Sequence, residues 1–371
     1  MAYLVFKDGT TFEGEAFGAW LKDLTSVAAH EVVFNTSMSG YQEMVTDLSY
    51  AGQILVLTQP QIGNYGWHHE ENEADKTRLQ GLIVRELSQG EGSLHGEGSL
   101  EDYCQQHGVQ GLKGVDTRAL TRYLRQFGTL PGVLVQTREV GLEFWANFQV
   151  DGDVEGTSEH WVYRSTVKEA YEIPGSGPLL AVIDFGVKRN IVRHLQQRGF
   201  RIMVFPAGST PEEILSHHPS GIVLSNGPGD PEELPECVAT VRSLYDKLPV
   251  LGICLGHQLL ALAAGGETYK LPFGHRGGNH PVIDIRSGKA TMTSQNHGYA
   301  VQEASLKGSG FEVTLRNLND GTVEGMEHMT YPILSVQFHP EGAPGPEENA
   351  EIFDRFKETV EKSISRKGRL L

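Results

Sequence analysis

Pro249-Val250-Leu251-Gly252-Ile253-Cys254-Leu255-Gly256-His257-Gln258-Leu259-Leu260-Ala261-Leu262 is the stretch that decides the fold. A short apolar run ends at Gly252, Cys254 follows, then Gly256, and a helix begins. This is a strand running into a helix through G-x-C-x-G, the cysteine form of a nucleophile elbow. A sharp corner holds the nucleophile in a strained conformation, and flanking glycines let neighbouring backbone approach closely. The thiol then sits over a helix N-terminus, where the dipole and free amides favour the reactive thiolate. The amide of Leu255 is free to donate to an oxyanion. Many cysteines are inert core residues, and Cys104 and Cys237 take that reading. Cys254 does not, because a core cysteine needs neither two glycines nor a strand–helix corner.

Upstream of this corner the pattern alternates. Residues 179–184, 201–205, 221–225 and 250–253 read as strands. Residues 188–199, 210–215 and 235–248 read as helices, the second with Thr210 as cap and Pro211 at its first position. Such alternation predicts βαβ units around a mainly parallel sheet flanked by helices, with the site at the carboxyl ends of the strands. The first 150 residues differ. Short apolar runs at 3–6, 32–34, 54–58 and 81–85 are broken by Gly, and Asp116-Thr117 caps a helix carrying Leu120 and Leu124. The fold class is therefore α/β, with a β-rich amino-terminal domain at 1–150 and a second domain at 179–371. Residues 151–178, polar at Asp151-Gly152-Asp153 and turn-rich at Pro174-Gly175-Ser176-Gly177-Pro178, read as a linker.

A reactive thiol needs a base and a group to orient that base. Residues 333–338 read as a strand, and His339-Pro340-Glu341 follows. In extended chain, positions i and i+2 face the same side. Pro340 keeps His339 extended, so Glu341 can meet the imidazole, set its tautomer and stabilise its charged form. A third turn-rich stretch, Ser225-Asn226-Gly227-Pro228-Gly229-Asp230-Pro231, follows another strand. Its exposed amides suit a ligand or a second oxyanion donor.

Bulk properties exclude several classes. The formal charge of −16 over 371 residues argues against a nucleic-acid partner. Three distant cysteines do not make a disulfide framework, and a reducing compartment fits them better. No 18-residue apolar stretch and no signal-peptide pattern is read, so no membrane is expected and the cytoplasm is the expected location. The other fourteen histidines, including His68-His69 and His217-His218, show no metal-ligand spacing, and no metal is expected on this chain.

Asn226-Gly227-Pro228-Gly229-Asp230-Pro231, Gly252-Ile253-Cys254-Leu255-Gly256-His257-Gln258 and Phe338-His339-Pro340-Glu341 together resemble the class I, triad-type glutamine amidotransferases. The resemblance implies hydrolysis of L-glutamine through a glutamyl thioester. Cys254 would be the nucleophile, His339 the base and acid, Glu341 the orienter, and Gly227 and Leu255 the oxyanion donors. Residues 34–43, 60–66, 114–118, 273–281 and 295–300 resemble the small (glutaminase) subunits of carbamoyl-phosphate synthetase. That resemblance implies glutamine contacts from Ser37, Gly227, Gly229, Leu255, Gln258, Asn296, Gly298 and Tyr299, the last being Phe elsewhere in the family.

The chain lacks a G-x-x-x-x-G-K-[ST] loop. No cofactor is expected on it. The resemblance further implies that ATP and Mg, with bicarbonate chemistry, lie on a partner large subunit that receives ammonia for arginine or pyrimidine biosynthesis. A glutaminase of another synthase and a free-standing cysteine hydrolase are the alternatives. A non-catalytic scaffold is disfavoured by the intact Cys254, His339 and Glu341.

Overall fold

The computed structural model describes residues 1–20, 27–88, 97–148 and 160–367. It divides into two compact units, Met1–Glu159 and His160–Leu371.

In the first unit, seven strands close into a barrel. Its order is Ala2–Phe6, Thr11–Gly18, Gln110–Lys113, Gly81–Ile83, Ile54–Leu57, His30–Asn35 and Leu130–Val135. Ile54–Leu57 lies between two parallel neighbours and is buried throughout, which explains its unbroken apolar run. Ala2–Phe6 pairs antiparallel on both sides and closes the ring, so no edge is left for aggregation. The capped helix is present as Thr117–Phe127. Asp116 accepts from the Ala119 amide at 2.9 Å, and Leu120 and Leu124 are buried. The β-rich reading of this half holds.

The second unit is built on a ten-stranded sheet. Its centre is parallel: Arg201–Pro206, Leu179–Asp184, Gly221–Leu224, Val250–Ile253 and Ile333–Val336, in that spatial order. Successive residues of Leu179–Asp184 enter cores on opposite faces. Leu180 and Val182 pack with Ile191, Leu195, Phe353 and Phe356. Ala181 and Ile183 pack with Val241, Leu244, Leu255 and Leu259. Both faces of the strand are thus covered by helices, which is why it carries no alternating polar residue.

Two features depart from the sequence reading. The parallel centre continues into an antiparallel wing of Val323–His328, Phe311–Asn317, Thr268–Asp284 and Ala290–Val301. Residues 160–178, read as linker, belong to the second unit. Trp161–Ser165 is helical, and Tyr171–Ile173 pairs antiparallel with Arg201–Pro206. The Gly177 amide bonds the Gly199 carbonyl at 2.8 Å. A turn that folds an edge strand onto its sheet has the same composition as a turn between domains, so composition alone could not separate them. The remaining linker positions, 151–159, lie outside the described residues.

Candidate active site

The corner at Cys254 forms as its spacing predicts. Val250–Ile253 is a buried strand and Leu255–Ala263 the following helix, with Cys254 between them at φ 53° and ψ −103°. A positive φ on a non-glycine residue is strained and needs its surroundings to hold it. Here the Cys254 amide donates to the Val336 carbonyl at 2.9 Å, and the Cys254 carbonyl accepts from His257 and Gln258. The flanking glycines permit close approach. A methyl group on Gly256 would lie 2.3 Å from the Leu224 carbonyl oxygen, and one on Gly252 would lie 2.6 Å from Leu260. Leu255 supplies the first amide of the helix, which the helical ladder itself cannot use.

The Gly227 turn is brought against this helix. A methyl group on Gly227 would lie 2.8 Å from the Leu255 side chain and 2.4 Å from the Phe185 carbonyl. Two polar side chains tie the turn to the one at residues 184–188. Ser225 Oγ accepts from the Phe185 amide at 2.9 Å, and Asn226 Oδ1 accepts from the Lys188 amide at 3.0 Å. The two backbones expected to supply the oxyanion donors are therefore neighbours.

His339 follows Ile333–Val336, the strand adjacent to Val250–Ile253, and its amide bonds the Ser294 carbonyl at 2.9 Å. Its Nδ1 lies 2.6 Å from Glu341 Oε1, as the i, i+2 argument requires. His339 and Glu341 are both buried, with exposures of 1% and 0%. Burial alone would lower the proton affinity of the imidazole. The Glu341 carboxylate outweighs that, Lys188 opposes it, and Cys254 adds to the rise, so His339 holds its proton above its ordinary range. Cys254 is thus within interaction range of the ring. His339 Nε2 still lacks a hydrogen bond of full geometry, as catalytic contacts often do before substrate tightens them. The Cys254 thiol donates to the Asn296 carbonyl at 3.6 Å.

Gln258, Asn296, Gly298 and Tyr299 join the same region. Gln258 Nε2 donates to the Tyr299 carbonyl at 2.9 Å and to Gln337 Oε1 at 3.1 Å. Gly229 follows the Gly227 turn at φ 88°, with His160 packed against it. Ser37 belongs to the first unit, in the turn after His30–Asn35, where its amide bonds Asn35 Oδ1 at 2.7 Å.

Sequence reasoning missed Lys188. Its buried ammonium lies 3.0 Å from Glu341 Oε1 and donates to the Gly342 carbonyl at 2.7 Å. Burial would push the Glu341 carboxyl up, but Lys188 and His339 hold it down to about 2. One signal was available. Lys188 is the N-cap of Arg189–Gln197, with no side-chain capping bond. A lysine there is unfavourable to the helix dipole, and a broken local rule often marks a functional position.

A strained thiol and a carboxylate-bound imidazole, with the Gly227 turn against the Leu255 helix, suit attack on an acyl or amide carbon. Residues 181–359 match the family described as glutamine amidotransferase class-I, and residues 4–134 match carbamoyl-phosphate synthase small chain, CPSase domain. The carbamoyl phosphate synthase small chain of Bacillus caldolyticus is 46% identical over 368 residues, covering 99% of this chain and 98% of its own. That of Symbiobacterium thermophilum is 47% identical over 369 residues, covering 96% and 98%. That of Clostridium perfringens is 48% identical over 360 residues, again covering 96% and 98%. With both domain models matched in order and near-half identity along almost its entire length, the chain belongs to the carbamoyl phosphate synthase small chain family, as the glutamine amidotransferase component of that ligase.

Proposed function

We propose that the chain hydrolyses glutamine through a thioester on Cys254 and passes the ammonia to a separate large subunit. There it would combine with bicarbonate and ATP to make carbamoyl phosphate. The observation that carries the reading is the buried line of Cys254, His339 and Glu341 at the carboxyl ends of two adjacent parallel strands. Such ends are where sheets of this kind place their chemistry.

With its proton passed to His339, the Cys254 sulfur attacks the side-chain amide carbon of glutamine, and the oxyanion accepts bonds from the Gly227 and Leu255 amides. His339 gives its proton to the departing ammonia, breaking the carbon–nitrogen bond. Water then gives a proton to His339 and attacks the thioester, the carbon–sulfur bond breaks to release glutamate, and His339 returns its proton to the sulfur. Glu341 holds the ring tautomer, and Lys188 positions Glu341. Ser37, Gly229, Gln258, Asn296, Gly298 and Tyr299 are the proposed glutamine contacts. ATP and Mg are assigned to the large subunit, and the cytoplasm to the complex. No helix among the described residues is long and apolar enough to cross a membrane.

The test uses the complex with the large subunit. Cys254→Ser is expected to lower glutamine-dependent carbamoyl phosphate synthesis by roughly three orders of magnitude or more, while synthesis from added ammonia persists. Wild-type use of glutamine by that variant would overturn the assignment.

A further inference from the structure

Three strands of the antiparallel wing, Thr268–Asp284, Ala290–Val301 and Val323–His328, bring one buried side chain each to a common point. These are His275, His297 and Glu324. One ligand-type atom from each lies within 4.8 Å of the other two. His275 is 7% exposed, and its Nδ1 is buried without a hydrogen-bond partner, 3.6 Å from Glu324 Oε1. Its other nitrogen, Nε2, lies 2.8 Å from Asp320 Oδ2.

His297 presents a proton-counting problem. Its Nδ1 lies 2.7 Å from the Tyr299 carbonyl and its Nε2 lies 2.9 Å from Gln295 Oε1. A neutral imidazole has one N–H. Whichever nitrogen carries the proton, the other points a lone pair at an oxygen. Turning the Gln295 amide over does not help. Its Nε2 donates to Thr293 Oγ1 at 3.0 Å and to Glu324 Oε2 at 2.9 Å, so a flip would set oxygen against the carboxylate. A neutral ring thus leaves one nitrogen facing an acceptor, and His275 Nδ1 has no hydrogen-bond partner.

We propose that this point is a divalent-cation site of the zinc type, liganded by His275 Nδ1, His297 Nε2 and a Glu324 oxygen. Gln295 Oε1 or water completes the set. Two imidazoles and a carboxylate suit such a metal. The outer partners also match what metal ligands carry. Asp320 holds His275, the Tyr299 carbonyl holds His297, and Asn317 Nδ2 donates to Glu324 Oε1 at 2.8 Å. The site is separate from the triad, yet His297 follows Asn296, whose carbonyl takes the Cys254 thiol bond. Its ligands lie 22 and 27 positions apart in sequence (275, 297, 324), which is why no short motif announces it.

Co(II) titration of the tag-free full chain carrying Cys254→Ser tests the proposal, because the thiol can then no longer bind metal. One Co(II) per chain is expected, with visible d–d absorption and displacement by Zn(II). Adding His275→Asn should abolish binding. Adding Asp320→Asn, which spares all three ligands, should weaken it about 10–100-fold. Circular dichroism melts establish that each variant is folded, and the half-exposed Asp320 site keeps the test decisive if His275→Asn fails to fold. Undiminished binding in both variants would place the metal elsewhere, for instance at His68-His69 or His217-His218, and overturn the proposal. So would a folded Cys254→Ser chain that binds no Co(II) below millimolar concentration; the cluster would then be a hydrogen-bond network with the extra proton on His275.

Discussion

Lys188 sets the charge balance of the site from one buried atom. Removing one member of a buried ion pair leaves the other charged and unpaired, at a cost of about 3–5 kcal/mol. Lys188→Met should therefore lower urea-unfolding stability by about that amount, whereas a pair exposed to water would lose roughly 1 kcal/mol or less. Glu341 and His339 also give stability a defined pH dependence. The Glu341 carboxyl is held down to about 2 against an ordinary 4.5. Between those values the folded chain binds fewer protons than the unfolded chain, so this contribution rises with pH and is complete above about pH 5. His339 acts in the opposite sense. Its proton affinity is raised, so its contribution is complete below about pH 6.5 and fades as pH climbs through the folded value. Glu341→Gln should thus cost most stability between these limits. Its urea midpoint should approach the wild-type value near pH 2–3, whereas in alkali only the part that runs through His339 should shrink and the loss of the Lys188 partner should persist; a gap that stays constant from acid to alkali would contradict the linkage.

The strand–helix corner was readable because all its causes are local. Gly252, Cys254 and Gly256 lie within five residues, and the structure uses each as its spacing demands. The i, i+2 geometry of His339 and Glu341 was readable for the same reason. Lys188, by contrast, meets Glu341 from 153 positions away (341 − 188), and nothing local to either residue specifies the meeting. The antiparallel wing was also missed, since pairing between distant strands is set by register rather than by composition. The corner yields a test at its own scale. A Gly256→Ala methyl would fall 2.3 Å from the Leu224 carbonyl oxygen, which is backbone and cannot swing aside. Gly256→Ala should therefore destabilise by about 1–3 kcal/mol and shift the helix that carries Leu255. Gly208→Ala, which meets nothing within 4 Å, should be close to neutral. Equal losses in the two variants, measured by urea unfolding, would mean that the close approach at Gly256 is not what holds the corner.

Each unit of the chain has a core of its own. Leu55, Tyr41, Trp67 and Leu100 fill one cluster in the first unit. Phe356, Phe353, Val182 and Leu251 fill one in the second, and Leu259, Val241 and Ile183 fill another on the opposite face of its sheet. Cys254, His339, Glu341 and Lys188 all belong to the second unit, so its fold alone should suffice to activate the thiol. Ser37, whose proposed contact rests on family resemblance, belongs to the first. A chain of residues 160–371 is therefore expected to unfold cooperatively and to be alkylated at Cys254 by a glutamine-like chloroketone. Because alkylation needs the base but not the release of ammonia, His339→Asn in the same fragment should slow labelling by about a hundredfold or more. A folded fragment whose labelling rate ignores His339 would separate the thiol from its imidazole and leave the corner as packing alone.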